Sequence, residues 1–175
     1  MKKICVIHGP NINFTGIRET GVYGTLNYDG INAEIKKKAE ELGLDVEIFQ
    51  SNHEGAIIDK IQECYGNKDG IVINPGAYTH YSYAIRDALA SVTTFPKIEV
   101  HISDVNSREK FRHVSVTEPA CTAQIIGKGF DGYLRWAYDY WTQSDPTSAQ
   151  DGSNASGDFN MIYRSENTAA AVPIS

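Results

Sequence analysis

Short apolar runs recur along the first 126 residues of the chain, and polar or turn-forming segments separate them. Each run is a few residues long and continuously apolar, or nearly so, a pattern typical of strands that are buried on both faces of a parallel sheet. The runs predict strands at residues 4–7, 46–49, 70–73, 98–102 and 124–126.

Helical patterns lie between these runs and after the last one. The clearest has apolar residues at intervals of four, four and three, which is the spacing of one helix face. Its members are Ile31, Ile35, Ala39 and Leu42, and Gly43 predicts its end. Further helices are predicted at residues 56–64, 82–91 and 133–141.

The alternation of strands and helices predicts the fold class. Short connections between alternating elements favour a parallel sheet covered by helices on both faces, that is, a doubly wound, three-layer α/β/α domain. With five strands, the flavodoxin-like strand order is the expected topology of the parallel sheet.

The composition changes near Ser144. Residues 144–157 contain no large apolar side chain, and only Phe159, Met161, Ile162 and Tyr163 interrupt the polar character of the remainder. Such a segment buries too little apolar surface to offset its ordering entropy. We therefore expect a catalytic domain at residues 1–143 and a flexible C-terminal extension at 144–175, in which residues 159–163 are available for docking on a neighbouring surface.

The overall composition limits the classes of function. The net charge of −6 disfavours nucleic acid as a partner, and the absence of any apolar run of about 20 residues predicts no membrane span. Cys5, Cys64 and Cys121 lack the spacing of a disulfide framework or a zinc site. These features predict a cytoplasmic protein with reduced thiols.

Polar side chains follow the first four predicted strands. Because ligands of such folds bind beyond the carboxyl ends of the strands, these segments are candidate parts of one site. Asn, His, Ser and Arg are frequent in them, and they contain all five histidines. The segments are residues 8–13, 50–54, 74–80 and 101–113.

Several common catalytic motifs are missing from the sequence. It contains no GxxxxGK[ST] phosphate loop, no GxSxG nucleophile elbow and no HExxH metal motif. Residues 127–132 match GxGxxG, but no strand follows them to complete a dinucleotide-binding unit. We interpret these glycines as a tight turn between the last strand and the last helix.

With these motifs missing, acid–base chemistry on a small polar molecule is the remaining candidate function. His101 at a strand end is a candidate general acid or base. The glycine-rich segment 14–24 has the length of a mobile lid and carries Arg18 and Tyr23. A guanidinium near a phenol stabilises the phenolate and makes it a better base, although an exposed arginine and a packed tyrosine are an equally simple interpretation.

Longer motifs resemble those of one family. From about Lys3 to Trp141 the sequence resembles type II 3-dehydroquinate dehydratases, which have a flavodoxin-like fold. The matching motifs are residues 9–13 (GPNIN), 16–19 (GIRE), 23–24 (YG), 50–55 (QSNHEG), 74–80 (NPGAYTH), 84–89 (AIRDAL), 99–103 (EVHIS) and 108–113 (REKFRH).

The resemblance implies a cofactor-free and metal-free anti elimination of water from 3-dehydroquinate, giving 3-dehydroshikimate through an enolate. Tyr23 is the implied proton acceptor at C2, with Arg18 stabilising its phenolate and the transition state. His101 is the implied proton donor to the C1 hydroxyl, Glu99 its support, and Asn11 the residue that holds a water against the enolate. The implied substrate-binding residues are Asn74, His80, Asp87, Ile102, Ser103 and Arg112.

The resemblance also implies an assembly and a pathway. Asp87 matches a residue that reaches the site of a neighbouring subunit, in dodecamers built as tetramers of trimers. The reaction serves the shikimate pathway, which leads to chorismate and the aromatic amino acids, or quinate breakdown. Thr20 stands where the family usually has proline, and this departure predicts a looser lid.

Two other classes of function remain at this point. A flavodoxin-like domain can bind a flavin or another nucleotide, which a yellow purified protein would reveal. A non-catalytic relative acting as a scaffold is the other alternative, although a scaffold does not need Arg18, Tyr23 and His101 together.

Overall fold

A parallel sheet forms the centre of the molecule. The computed structural model describes residues 1–17, 26–135 and 161–163. The parallel strands are β1 (Lys2–His8), β2 (Leu44–Gln50), β3 (Gly70–Asn74), β4 (Lys97–His101) and β5 (Ala123–Ile126). Their order is β2-β1-β3-β4-β5, which confirms the predicted flavodoxin-like α/β topology.

Helices cover both faces of this sheet. They are α1 (Tyr28–Glu41), α2 (Glu54–Cys64) and α3 (Tyr83–Ser91), and residues 131–135 are helical as well. The rest of the predicted helix at 133–141 lies outside the described residues. No helix of the described part is long and apolar enough to cross a bilayer.

The alternation of side chains along β1 divides the core into two halves. Ile4 and Val6 point to one face and pack with Ile31 and Ile35 of α1. On the opposite face, Cys5 and Ile7 pack with residues of α2 and α3, among them Ile57 and Leu89. The sheet is therefore the middle layer of a three-layer α/β/α structure.

Helix boundaries follow from local capping. The side chain of Asn27 accepts a hydrogen bond from the Gly30 N–H at 2.8 Å, and α1 begins at the next residue. Gly43 takes a φ of +67°, which lets the chain leave the helix where its sequence predicts an end. Ser82 caps α3 in the same way, by accepting from the Ile85 N–H at 3.0 Å.

A short strand of the C-terminal extension adds to the sheet. Strand β6 (Met161–Tyr163) pairs antiparallel with β5, with Tyr163 opposite Ala123 and Met161 opposite Ile125. The sequence did not predict this strand, although it marked the same apolar residues as a docking segment. Pairing satisfies the backbone groups along the β5 edge, and these side chain types suit a strand.

Candidate active site

The carboxyl ends of β1, β3 and β4 open into a cleft of about 150 Å³. Seven of the predicted site residues line it, namely Asn11, Asn74, His80, His101, Ile102, Ser103 and Arg112. Pro10, Ile12, Gly76, Ala77, Val105 and Arg108 complete its walls. The segments after three different strands thus meet at one place, as the sheet topology predicts.

His101 is held from behind by a buried carboxylate. His101 Nε2 lies 2.6 Å from Oε1 of Glu99, which is fully buried. Burial alone would raise the pKa of Glu99, but the hydrogen bond and charge of His101, with hydrogen bonds from Thr117 and Gln124, lower it to about 2. Glu99 is therefore ionised at neutral pH, and His101 is fixed by a negative charge.

Asn11 adopts a backbone conformation that is rare for a residue with a side chain. Its φ of +66° is left-handed, and asparagine tolerates this region better than most residues do. The Asn11 N–H donates to Asn52 Oδ1 at 3.0 Å, and Gln50 Nε2 donates to the same oxygen at 3.2 Å. The segment after β2 thus does not line the cleft but fixes the loop that carries Asn11.

A series of interacting side chains supports Asn74 from the side of the protein core. Its Oδ1 accepts from the Gly76 N–H at 3.0 Å, and its side chain offsets part of the rise that burial causes in the pKa of the Tyr133 hydroxyl. That hydroxyl lies 3.2 Å from Nδ1 of His8, whose Nε2 lies 3.0 Å from Asn32 Oδ1. Burial lowers the pKa of His8 to about 4, so His8 is neutral and can accept from Tyr133 while donating to Asn32.

Close backbone contact joins the loops after β1 and β3. The Gly9 N–H donates to the Asn74 carbonyl at 2.7 Å. A Cβ on Gly9 would come within 2.6 Å of the Pro75 carbonyl carbon and 2.7 Å of the Asn74 oxygen. Glycine at this position therefore sets the separation of the two loops that carry Asn11 and Asn74.

One ring nitrogen of His80 is bound to a backbone carbonyl, and the other can bind a ligand. Its Nδ1 lies 2.8 Å from the Val114 carbonyl oxygen, so Nδ1 carries the proton. Burial, and the charges of His101 and Arg112, lower the pKa of His80 despite that hydrogen bond. Neutral His80 therefore offers Nε2 as a hydrogen-bond acceptor.

Two arginines give the cleft a positive side. Arg112 donates from Nε to Glu109 Oε2 at 2.7 Å, and the Nε of Arg108 lies 3.7 Å from the same oxygen. Hydrogen bonds from the Glu109 backbone and from Arg112 lower the pKa of Glu109. Arg108 was absent from the predicted site residues, although the sequence places it in the polar segment after β4 and in the same REKFRH motif as Arg112.

The glycine-rich turn after β5 fixes the loop that follows β4. Gly127 and Gly129 have φ values of +70° and +57°. Their N–H groups donate to the carbonyls of His101 at 3.1 Å and Ile102 at 3.0 Å. The prediction of a tight turn at this GxGxxG match is confirmed, and the turn holds two cleft residues in place.

Some predicted site residues are not in the cleft. Asp87 lies on an exposed part of α3 and does not line it. Arg18 and Tyr23 fall outside the described residues. Of the five histidines, His8 is buried in the protein core and His53 is exposed at the start of α2.

The described residues suit proton transfer and the binding of an anionic, hydroxylated molecule. They combine a histidine–carboxylate pair, a neutral histidine, two amides and two guanidinium groups. Among the described residues, no group of three or more His, Cys, Asp and Glu is arranged to hold a metal ion.

Comparisons with known proteins identify the family. Residues 2–140 match the sequence family described as "Dehydroquinase class II". The chain is 70% identical over 133 residues to a 3-dehydroquinate dehydratase from Lachnospira eligens, which covers 75% of this chain and 90% of that protein. A protein of the same name from Lachnoclostridium phytofermentans is 62% identical over 133 residues, covering 75% and 91%.

A solved structure agrees with these sequence relatives. The type II dehydroquinase from Butyrivibrio crossotus is 62% identical and superposes with a TM-score of 0.79, covering 81% of this chain and 98% of that one. Fold, cleft residues and sequence similarity agree over the same part of the chain. The chain belongs to the class II dehydroquinase family.

Proposed function

We propose that the chain is a hydro-lyase that removes water from 3-dehydroquinate and produces 3-dehydroshikimate without a cofactor. The names of its relatives support the substrate, since identity reaches 70% over most of their length. The residues of the cleft supply the acid, amide and cationic groups that such a reaction on a carboxylated, hydroxylated ring requires.

The observation that carries the proposal is the contact between His101 and the buried Glu99 carboxylate. At 2.6 Å, the buried carboxylate stabilises a positive charge on the imidazole and fixes its orientation at the cleft wall. Because Nε2 faces Glu99, the opposite ring nitrogen is placed to donate a proton to the leaving hydroxyl. We assign His101 the role of general acid.

The proposed reaction has two proton transfers. The Tyr23 phenolate, stabilised by Arg18, takes the proton from C2, and the C–H electrons delocalise onto the ketone as an enolate. His101 then gives its proton to the C1 hydroxyl, the C1–O bond breaks, and water leaves as the C1=C2 double bond forms. A water held by Asn11 stabilises the enolate oxygen.

The remaining cleft residues bind the substrate in this proposal. Arg112 pairs with its carboxylate, and Ser103 and the Ile102 backbone hydrogen-bond around the same group. Asn74 and His80 bind hydroxyls, a role that suits the acceptor nitrogen of neutral His80 and the fixed amide of Asn74.

The assembly belongs to the proposal as well. The exposed position of Asp87 on α3 suits a residue that reaches into the site of a neighbouring copy. We infer a homo-oligomer, specifically a dodecamer arranged as a tetramer of trimers. The product is an intermediate of the shikimate pathway, so the enzyme acts there or in quinate breakdown.

The proposal is tested with purified protein, 3-dehydroquinate and EDTA. We expect the absorbance of a conjugated enone to rise, and the activity to survive borohydride treatment in the presence of substrate, since no Schiff base forms. A correctly folded protein that produces no enone would refute the proposal.

Two variants test the assigned roles. Tyr23→Phe should abolish turnover, whereas the control Tyr65→Phe, at a tyrosine 62% exposed beyond α2, should leave it unchanged. His101→Ala should lose most turnover while exchange of the C2 proton with solvent survives, because enolate formation precedes loss of the hydroxyl. Normal turnover in either variant would remove that residue from its role.

A further inference from the structure

The Glu99 carboxylate is enclosed by more hydrogen-bond donors than its partnership with His101 requires. Thr117 Oγ1 donates to Glu99 Oε2 at 2.6 Å, and Gln124 Nε2 donates to Oε1 at 2.9 Å. The hydroxyl groups of Thr79 and Ser115 lie 2.9 Å and 3.0 Å from Oε1. We call Thr79, Ser115, Thr117 and Gln124 the carboxylate cage.

The members of the cage come from separate parts of the chain. Thr79 lies in the turn after β3, Gln124 lies on β5, and Ser115 and Thr117 lie in the segment between β4 and β5. Thr79, Thr117 and Gln124 are buried, and Ser115 is partly buried. A buried, fully enclosed carboxylate can adopt only the orientation that its donors allow.

The hydroxyl groups of the cage also lie within hydrogen-bonding distance of one another. Thr79 Oγ1 lies 2.7 Å from Ser115 Oγ and 2.8 Å from Thr117 Oγ1. Each hydroxyl has a single proton, so a hydroxyl that donates to Glu99 can only accept from the other hydroxyls, and one that donates to a neighbour does not donate to Glu99. The loss of one hydroxyl therefore weakens several hydrogen bonds at once.

We propose that the carboxylate cage, with Thr117 as its principal member, positions His101 for proton donation by holding Glu99 in one orientation. Glu99 Oε1 binds the Nε2 edge of the imidazole. Nδ1 is then the nitrogen left to give a proton to a ligand in the cleft. The cage residues are positioning residues and do not touch the substrate, and this inference rests on the proposed function.

Because the proposed reaction has two steps, a specific effect on His101 can be distinguished from a general loss of activity. Enolate formation depends on Tyr23 and Arg18, whereas loss of water depends on His101. Thr117→Val keeps the shape of the side chain but removes its hydroxyl. This variant should slow loss of water and leave enolate formation unchanged.

The experiment follows both steps in deuterium oxide. Enone absorbance reports elimination, and nuclear magnetic resonance of recovered 3-dehydroquinate reports deuterium incorporated at C2. In Thr117→Val we expect the ratio of exchange to elimination to rise about tenfold, the factor expected for a lost hydrogen bond to a charged group. Thr117→Ser restores the hydroxyl and should restore the ratio.

The matched control is Thr122→Val. Thr122 Oγ1 accepts from the Lys97 N–H at 3.1 Å where β4 and β5 begin, which is the end of the sheet opposite His101. Thr122→Val therefore makes the same change of side chain and loses a neutral hydrogen bond, but it removes no donor to Glu99. Ser115→Ala, at a less buried position, provides a second cage variant if Thr117→Val does not fold, and its ratio should also rise.

The outcomes separate the two proposals. An unchanged ratio in the cage variants, equal loss of both rates, or failure of Thr117→Ser to restore the ratio would overturn the positioning role. A parent protein that neither exchanges nor dehydrates 3-dehydroquinate would instead refute the proposed function.

Discussion

Protonation of His8 should destabilise the folded protein well above the pH of ordinary acid unfolding. His8 is fully buried, with Tyr133 on one ring nitrogen and Asn32 on the other. A second proton on the ring would prevent Nδ1 from accepting the hydrogen bond of Tyr133, and it would place a positive charge in the core. The folded state therefore resists protonation that the unfolded chain accepts.

The size of this effect follows from the pKa of His8. Its value is about 4 in the folded protein and 6.5 for an ordinary histidine. Between these values the unfolded chain binds more protons, so stability rises with pH. The contribution is fully present above about pH 6.5, is lost as the pH falls to 4, and amounts to about 3 kcal/mol.

The measurement is urea unfolding at fixed protein concentration between pH 7.5 and 4. His8→Gln is the comparison, because an amide can still hydrogen-bond to Asn32 but does not titrate. The parent should be the more stable protein at pH 7.5. Its advantage in free energy of unfolding should shrink by about 3 kcal/mol on reaching pH 4.

The titration of Glu99 does not affect the interpretation. Glu99 loses its own contribution below about pH 4.5, and this occurs in both proteins, so it cancels in the difference. A difference between parent and His8→Gln that stays constant from pH 7.5 to 4 would refute the assignment of His8 as a buried neutral histidine.

Three further predictions concern the loops and their supports. Gly9→Ala should lower the free energy of unfolding by about 2 kcal/mol in urea titrations, because its Cβ meets the Pro75 backbone at 2.6 Å; an unchanged midpoint would contradict that contact. Asn11→Ala should be about 1 kcal/mol less stable than Asn11→Gly in thermal unfolding, since φ is +66°, and equal stability would argue against the left-handed conformation. Tyr133→Phe should raise KM for 3-dehydroquinate more than it lowers kcat, because it removes the hydroxyl that interacts with the Asn74 side chain, and steady-state kinetics with an unchanged KM would exclude this support.

Most of the fold is predictable because the buried strands are almost purely apolar. The five predicted strands and the first three predicted helices are present, and their ends differ from the prediction by at most three residues; the helix predicted at 133–141 is described only as far as residue 135. Strand β4 ends at His101 rather than Ile102, since its pairing with β5 stops there. Strand β6 escaped prediction because three apolar residues within a polar segment carry no periodicity of their own.

The site residues were predictable where they lie directly at the ends of strands. Glu99 and His101 are two residues apart on β4 and so point to the same face, which is a signal that the sequence contains. His8 follows Ile4 and Val6 on one face of β1, so alternation could have assigned it to the core rather than to the cleft. Thr117 had no such signal, because its segment has neither strand nor helix periodicity.

The strand order has a consequence for synthesis on the ribosome. After β1 and β2 have paired, β3 joins the free edge of β1, β4 joins β3, and β5 joins β4, in the order in which they are translated. No strand has to insert between two that are already paired, so the sheet can grow as the nascent chain lengthens. Gln124, on the last parallel strand, is the final donor to reach Glu99, so the hydrogen bonds around this carboxylate are complete only after β5 has been made.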